Sequence, residues 1–315
     1  MACNSPITGN RDADGIIRER RGMGSDSWQI TIACGQCAGC RLERSRVWAV
    51  RIMHECTDYE PEECHFITLT YTDEELMKTG PTYIGKDRRG REALKGGSLV
   101  VRDWQDFARR ARKQIGKFRY FHCGEYGDLE GRPHYHAAIF GWQLNDLVPD
   151  GETKSGSKGY SSELLEQTWG KGKTQTGELT FESAAYVARY VMKKVNGRKK
   201  EEGHYNIVNE KGKILGERKD EYTTMSRREG IGKKWIEKWE KDVYPRDEVI
   251  INGKKTRPPK YYDGQYEIKN ETGMKKVKAK RREKGEKRKE EQTPQRLRTK
   301  EKILVRKTNR HPRDL

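Results

Sequence analysis

The 47 residues from Lys269 to Leu315 contain no Phe, Tyr or Trp. They carry 19 Lys or Arg against 7 Asp or Glu, and a segment of that kind cannot build a hydrophobic core by itself. Too little large apolar surface is available to offset the entropy of ordering the chain. Any independent core must come from the first 268 residues, which hold all 7 Trp, 15 Tyr and 6 Phe. Charge divides the same way. Of the formal +18, a net +12 lies in the tail and +6 in the body. A basic appendage on a nearly balanced body predicts a polyanionic partner.

With 32% hydrophobic residues, the sequence has no run near the ~18 apolar residues of a spanning helix. The opening residues, Met1 to Gly15, lack the basic and apolar regions of an export signal, so a cytosol-like compartment is expected. Seven cysteines are present, three of them in Cys34-Gly35-Gln36-Cys37-Ala38-Gly39-Cys40. Without an export signal, this spacing favours metal or redox chemistry over a disulfide framework.

Hydrophobic spacing predicts a helix over 41–56 and a strand over 65–71, followed by a polar connection over 72–97. Trp104, Phe107, Ala108, Ala111 and Ile115 predict a second helix, ending at Gly116. Two further strands are expected over 117–123 and 134–140, joined by a Gly- and Pro-containing connection over 124–133. A polar loop over 143–159 and helices over 161–169 and 182–195 follow. Residues 198–221 show no decisive period, and 231–239 predicts a helix with Trp235 and Trp239 one turn apart. The expected fold class is α+β, a central antiparallel sheet with packed helices and a basic, disordered or helical C-terminal tail. The expected organisation is a Cys-rich segment (1–60), a catalytic core (61–200), a charged part of the body (201–268) and the tail (269–315).

Within the strand His134-Tyr135-His136, residues two apart share a face, so both imidazoles project from one side of the sheet. Two imidazoles can ligate one divalent ion. Glu125, where the preceding strand meets the connection, can be returned beside them by a hairpin, completing a site suited to Mg²⁺ or Mn²⁺. The second constellation runs from Ala184 to Lys194. At about 100° per residue, Tyr190 and Lys193 fall within roughly 40° of Tyr186, while Ala184, Ala188, Val191 and Val195 occupy the opposite side. One face is made to pack; the other presents two phenols and an ammonium. A Tyr hydroxyl is a covalent nucleophile, and a phosphodiester is its electrophile once a divalent ion polarises the oxygens.

The order of Phe66-Ile67-Thr68-Leu69-Thr70, then His134-Tyr135-His136, then Tyr186, Tyr190 and Lys193 resembles the three motifs of the HUH endonucleases that initiate rolling-circle replication. The Tyr-Val-Ala-Arg-Tyr-Val-Met-Lys-Lys segment is similar to the two-tyrosine initiators of small single-stranded DNA phages. Met1-Ala2-Cys3-Asn4-Ser5-Pro6, the cysteine cluster and Met225-Ser226-Arg227-Arg228-Glu229-Gly230-Ile231-Gly232 resemble the gokushovirus branch of Microviridae. The resemblance extends from about Cys3 to Asp263. It implies His134, His136 and Glu125 as metal ligands, Tyr186 and Tyr190 as nucleophiles and Lys193 as their accompanying lysine. It further implies nicking and rejoining of single-stranded DNA at the origin through a 5′-phosphotyrosine. The expected partners are single-stranded DNA, the replicative-form origin and a host helicase or other replication proteins, in the host bacterial cytoplasm without a membrane.

Cys34, Cys37 and Cys40, with Cys3 as a fourth thiolate, match a structural Zn²⁺ site; reduced cysteines at a helix start are the other reading. Arg227 and Arg228 are candidate DNA contacts, while Trp235 and Trp239 fit core packing better than base stacking. Two other readings stay open on these residues. One is a non-enzymatic zinc-containing nucleic-acid binding protein; the other is an HUH transposase or relaxase.

Overall fold

A strand whose side chains are buried on both faces must lie inside a sheet that is covered on both sides. Residues 133–140 meet that condition, with seven of eight residues buried. The computed structural model describes residues 3–11, 17–18, 28–127, 131–152, 158–190 and 202–310. The first elements are strands β1 (Ile7–Arg11), β2 (Ile17–Arg18) and β3 (Trp28–Ile32), then helix α1 (Ala38–Cys56) and β4 (Cys64–Leu69). Next come α2 (Asp73–Met77), β5 (Thr82–Lys86), β6 (Glu92–Gly96), α3 (Val101–Ile115), β7 (Arg119–Tyr126) and β8 (Pro133–Phe140). Then follow β9 (Val148–Glu152), β10 (Lys158–Ser161), α4 (Glu163–Trp169), β11 (Thr174–Glu178) and α5 (Phe181–Tyr190). The remainder is β12 (Asn206–Val208), β13 (Ile214–Glu217), β14 (Tyr222–Met225), α6 (Lys233–Arg246), β15 (Val249–Ile251), β16 (Lys254–Thr256), α7 (Lys260–Lys269), α8 (Glu271–Glu286) and α9 (Pro294–Arg310). The fold is α+β.

Two compact units are present. One comprises Trp48–Asp242 and Ile251–Lys254, the other Met1–Val47, Val243–Ile250 and Lys255–Leu315. In the first, seven strands pair in the order β14-β7-β8-β4-β11-β10-β9, with every neighbouring pair antiparallel. On one face, Tyr135, Ala137 and Ile139 of β8 join Ile67 and Leu69 of β4 and bury against Trp104, Phe107 and Ala111 of α3 and Leu165 and Trp169 of α4. Fully burying each Phe or Leu here contributes about 1.5–3 kcal/mol. The opposite face sets Phe121, Cys123, Ala138 and Phe140 against Ala49 and Ile52 of α1 and Ala184, Val187 and Ala188 of α5. Helix α4 starts where the Ser162 hydroxyl accepts the Leu165 N–H and stops at Gly170, whose φ of 64° suits a residue without Cβ.

The structure changes several local expectations. The connection expected over 72–97 holds α2 and the β5–β6 hairpin. The loop expected over 143–159 contains β9 and the start of β10, and 198–221 includes the β12–β13 pair. These are short, polar, edge-side strands whose pattern has no buried face to report; Val148 and Ile214 are exposed. Strand β7 continues to Tyr126, so Glu125 lies within the strand and not in the connection.

In the second unit, β1 pairs with β2 and β3. The tail is helical and, as its composition requires, builds no core of its own. It lends Met274, Val277 and Leu297 to this unit as buried side chains. Arg281 of α8 reaches Asp247 and Asp263, each at 2.6 Å. Among the described residues, no helix is long and apolar enough to cross a membrane.

Candidate active site

Antiparallel register assembles the first constellation. β7 and β8 place Glu125 directly opposite His134 and Cys123 opposite His136. Residues facing each other across a ladder share a side of the sheet, so all four project to the face that α1 and α5 cover. Tyr135 points the other way, and its hydroxyl lies 2.7 Å from that of Tyr71. β4 pairs on the other edge of β8 and brings Thr68 opposite His136.

Glu125 Oε1 lies 2.7 Å from Nε2 of His134 and 3.0 Å from Nε2 of His136. The three ligand atoms fall within 4.8 Å of one another, on a carboxylate only 1% exposed. Burial raises the Glu125 carboxyl, but hydrogen bonds from His134 and His136 outweigh it and hold the group down at about 2.

The far side of each imidazole decides what this cluster accepts. Nδ1 of His134 lies 3.2 Å from the carbonyl oxygen of Arg132. A carbonyl only accepts, so Nδ1 carries the proton, and the neutral ring turns the Nε2 lone pair toward a carboxylate oxygen. Two acceptors at 2.7 Å demand positive charge, either a second ring proton or a cation held by both. Neighbouring ligands around a small octahedral ion are about 3.0 Å apart, which these separations match. Two imidazole nitrogens and one carboxylate oxygen are therefore a donor set fit for a divalent ion with positions left open. His136 is oriented by Thr68, whose Oγ1 lies 2.9 Å from its Nδ1.

Helix α5 supplies the second constellation. Ala184, Ala185, Val187 and Ala188 are buried, whereas Tyr186 is 39% exposed. Its ring stands edge-on to His136, with centroids 5.3 Å apart, and edge-on to Phe66 at 6.1 Å. Phe66 in turn stacks on His136 at 5.4 Å. Tyr190 is the last described residue of α5, and Lys193 lies outside the described residues.

The other sequence-selected residues lie apart from this cluster. Arg227 and Arg228 are exposed in the turn after β14. Because Met225 pairs with Phe121 and Tyr222 with Gly124, that turn leaves the sheet at the end of β7 away from Glu125. Arg119 holds it by donating to the carbonyls of Arg228 and Glu229 at 3.2 and 2.9 Å, and Arg119 also pairs with buried Glu55. Trp235 stacks on the buried His54 ring at 3.4 Å, a packing role, while Trp239 is exposed. The sequence pattern marks Phe66 and Thr68 only as strand residues. Their position beside His136 is recoverable only by knowing that β4 pairs with β8.

A separate cluster occupies the second unit. The four sulfurs of Cys3, Cys34, Cys37 and Cys40 lie within 4.8 Å of one another.

The class this sheet and site belong to is given by comparison. Residues 64–195, which include both constellations, match the family model of replication-associated proteins of the ORF2 type. The replication-associated protein VP4 of Bdellovibrio phage phiMH2K is 30% identical over 272 residues, covering 84% of this chain and 77% of that protein. The replication-associated protein ORF2 of Spiroplasma virus 4 is 32% identical, covering 75% and 68% respectively. The ORF4 replication-associated protein of Chlamydia phage 1 is 29% identical over 177 residues, covering 53% and 39%. The chain belongs to this family of phage replication-associated proteins. No solved structure matches it.

Proposed function

We propose that this protein initiates replication of a small single-stranded DNA phage genome as an HUH-type endonuclease, nicking and rejoining DNA at the origin. The observation that carries the reading is the placement of an exposed phenol, Tyr186, edge-on to an imidazole of a buried Glu-His-His cluster.

Glu125, His134 and His136 hold Mg²⁺ or Mn²⁺, which polarises the scissile phosphate and offsets its charge. The Tyr186 phenolic oxygen attacks phosphorus, forming a phosphotyrosine bond to the 5′ side. The P–O3′ bond breaks, and the departing 3′-oxygen gains a proton as the phenol loses one. One phosphoester replaces another, so the bond energy is retained for rejoining. Tyr190, one turn along α5, performs the second transfer, and Lys193 supplies positive charge to the phosphate or phenolate. Tyr135, on the opposite side of β8, is locked into the core and takes no part. Arg227, Arg228 and the basic tail hold the DNA backbone, as counterion release favours. The substrates are single-stranded DNA and the replicative-form origin inside the infected bacterium, with a host helicase opening the duplex.

An origin oligonucleotide incubated with the protein and Mn²⁺ tests this. A covalent protein–DNA adduct is expected, lost in the double variant His134→Ala/His136→Ala although DNA binding persists. Equal adduct yield from that variant would rule the mechanism out.

A further inference from the structure

We infer that Cys3, Cys34, Cys37 and Cys40 form a closed structural Zn²⁺ site that builds the platform on which helix α9 docks. This goes beyond the nicking reaction and does not depend on it.

Distances come first. Cys3 Sγ lies 3.7 Å from Cys34 Sγ and 3.8 Å from Cys37 Sγ. Four sulfurs at about 2.3 Å from a tetrahedral zinc ion stand about 3.8 Å apart, the edge of that tetrahedron. All seven cysteines are free, and these separations are far beyond the ~2.05 Å of a disulfide.

Backbone amides give an independent indication. Cys34 Sγ accepts from the N–H groups of Gln36 and Cys37 at 3.5 and 3.3 Å. Cys37 Sγ accepts from Asn4 and Cys40 at 3.2 and 3.4 Å, and Cys3 Sγ from Cys34 at 3.3 Å. A neutral thiol is a weak acceptor, whereas five N–H groups converging on three sulfurs suit metal-bound thiolates, whose charge they offset. Cys3, Cys37 and Cys40 are buried, so four thiolates here require a cation. With four sulfurs there is no open position, which separates this site from the Glu125 cluster and makes it structural.

Its reach follows from what flanks the ligands. Ala38, one residue after Cys37, opens α1, and its N–H donates to Oε1 of Glu301 at 3.4 Å. Ser5, two residues after Cys3, donates its hydroxyl to Oε2 of the same carboxylate at 3.4 Å. A carboxylate at a helix N-terminus is favoured by the aligned peptide dipoles. Glu301 lies in α9, so the two chain segments that the metal clamps together are also those that receive this helix.

Three measurements on the full chain test the site. Elemental analysis should find one zinc per chain in the wild type and in His134→Ala/His136→Ala, and none in Cys37→Ser. Replacing zinc by Co²⁺ in the wild type should produce thiolate-to-cobalt charge-transfer absorption and the intense visible bands of a tetrahedral complex. Chelation of the wild type should raise amide hydrogen exchange across 294–310 and leave 119–140 unchanged. Iron in place of zinc, a disulfide among these cysteines in non-reduced peptide maps, or exchange at 294–310 indifferent to chelation would each overturn the proposal.

Discussion

The ring of Tyr186 stands edge-on to the imidazole of His136, with centroids 5.3 Å apart and planes at 80°. A helix that buries Ala184, Val187 and Ala188 has to present Tyr186 on its other side, and the sheet strand beneath presents His136 to meet it. Nucleophile and metal ligand are thus held by two rigid elements rather than by a loop, as accurate in-line transfer requires.

The hydroxyl of Thr68 fixes the His136 ring through Nδ1 at 2.9 Å. Thr68→Val keeps the strand shape and removes that bond. Divalent-ion affinity should fall about 10–100-fold, read from the free Mn²⁺ signal by electron paramagnetic resonance. Thr68→Ser should restore most of it. Unchanged affinity in the valine variant would show that Thr68 does not orient the ligand.

Gly124 leaves no space for a side chain. A Cβ there would lie 2.9 Å from Leu99 Cδ2 and Tyr222 Cε1 and 3.2 Å from Tyr135 Cε1. Gly124→Ala should cost about 1–3 kcal/mol through overpacking, lowering Tm measurably by calorimetry. It should also weaken metal binding, because Glu125 is the next residue on β7.

Three buried histidines favour their neutral forms. Burial pushes His54 down to about 3, drives His122 well below its ordinary value with His136 adding repulsion, and lowers His65. A folded-state value below the unfolded one gives stability that is full above about pH 6.5 and is lost as pH falls toward the folded value. Glu125, held at about 2, acts in the same direction lower down, as pH drops through about 4. Thermal melts should therefore show stability declining from about pH 6.5 downward, with a shallower decline in His54→Gln. Parallel curves for the two proteins would contradict the assignment.

How much of this was legible in the sequence depends on which contacts were local. The i, i+2 pair His134 and His136 and the outward Tyr186 follow from the periods of a strand and a helix, and both were readable. Glu125 was identified, but Gly124 obscured the strand that carries it. Thr68 and Phe66 became neighbours of His136 only through the non-sequential order β7-β8-β4. The edge strands β9, β10 and β11 were missed because Gly, Thr and Gln side chains facing solvent leave no alternation. In the tail, composition correctly excluded an independent core. It could not show that Arg281 would bind Asp247 and Asp263 and tie α8 into the second unit.

That ion pair bears on how the tail is tested. Removing Arg281 would leave two partly buried carboxylates, so truncation confounds charge with folding. Arg298, Lys302 and Arg306 are exposed and recur every four residues along α9. Changing all three to Ala should lower the salt slope of single-stranded DNA binding by up to about 2. Cleavage of saturating substrate should be unchanged. A loss of cleavage at saturation would place the tail in the reaction itself.

The most direct test of the central claim is to incubate the full chain with single-stranded circular DNA of its own genome and Mn²⁺, digest both, and locate the linked nucleotide by peptide mass. The expected result is a phosphotyrosine on the peptide containing Tyr186 and Tyr190, absent from the double variant Tyr186→Phe/Tyr190→Phe. An adduct at another residue, or one that survives the double substitution, would contradict the account.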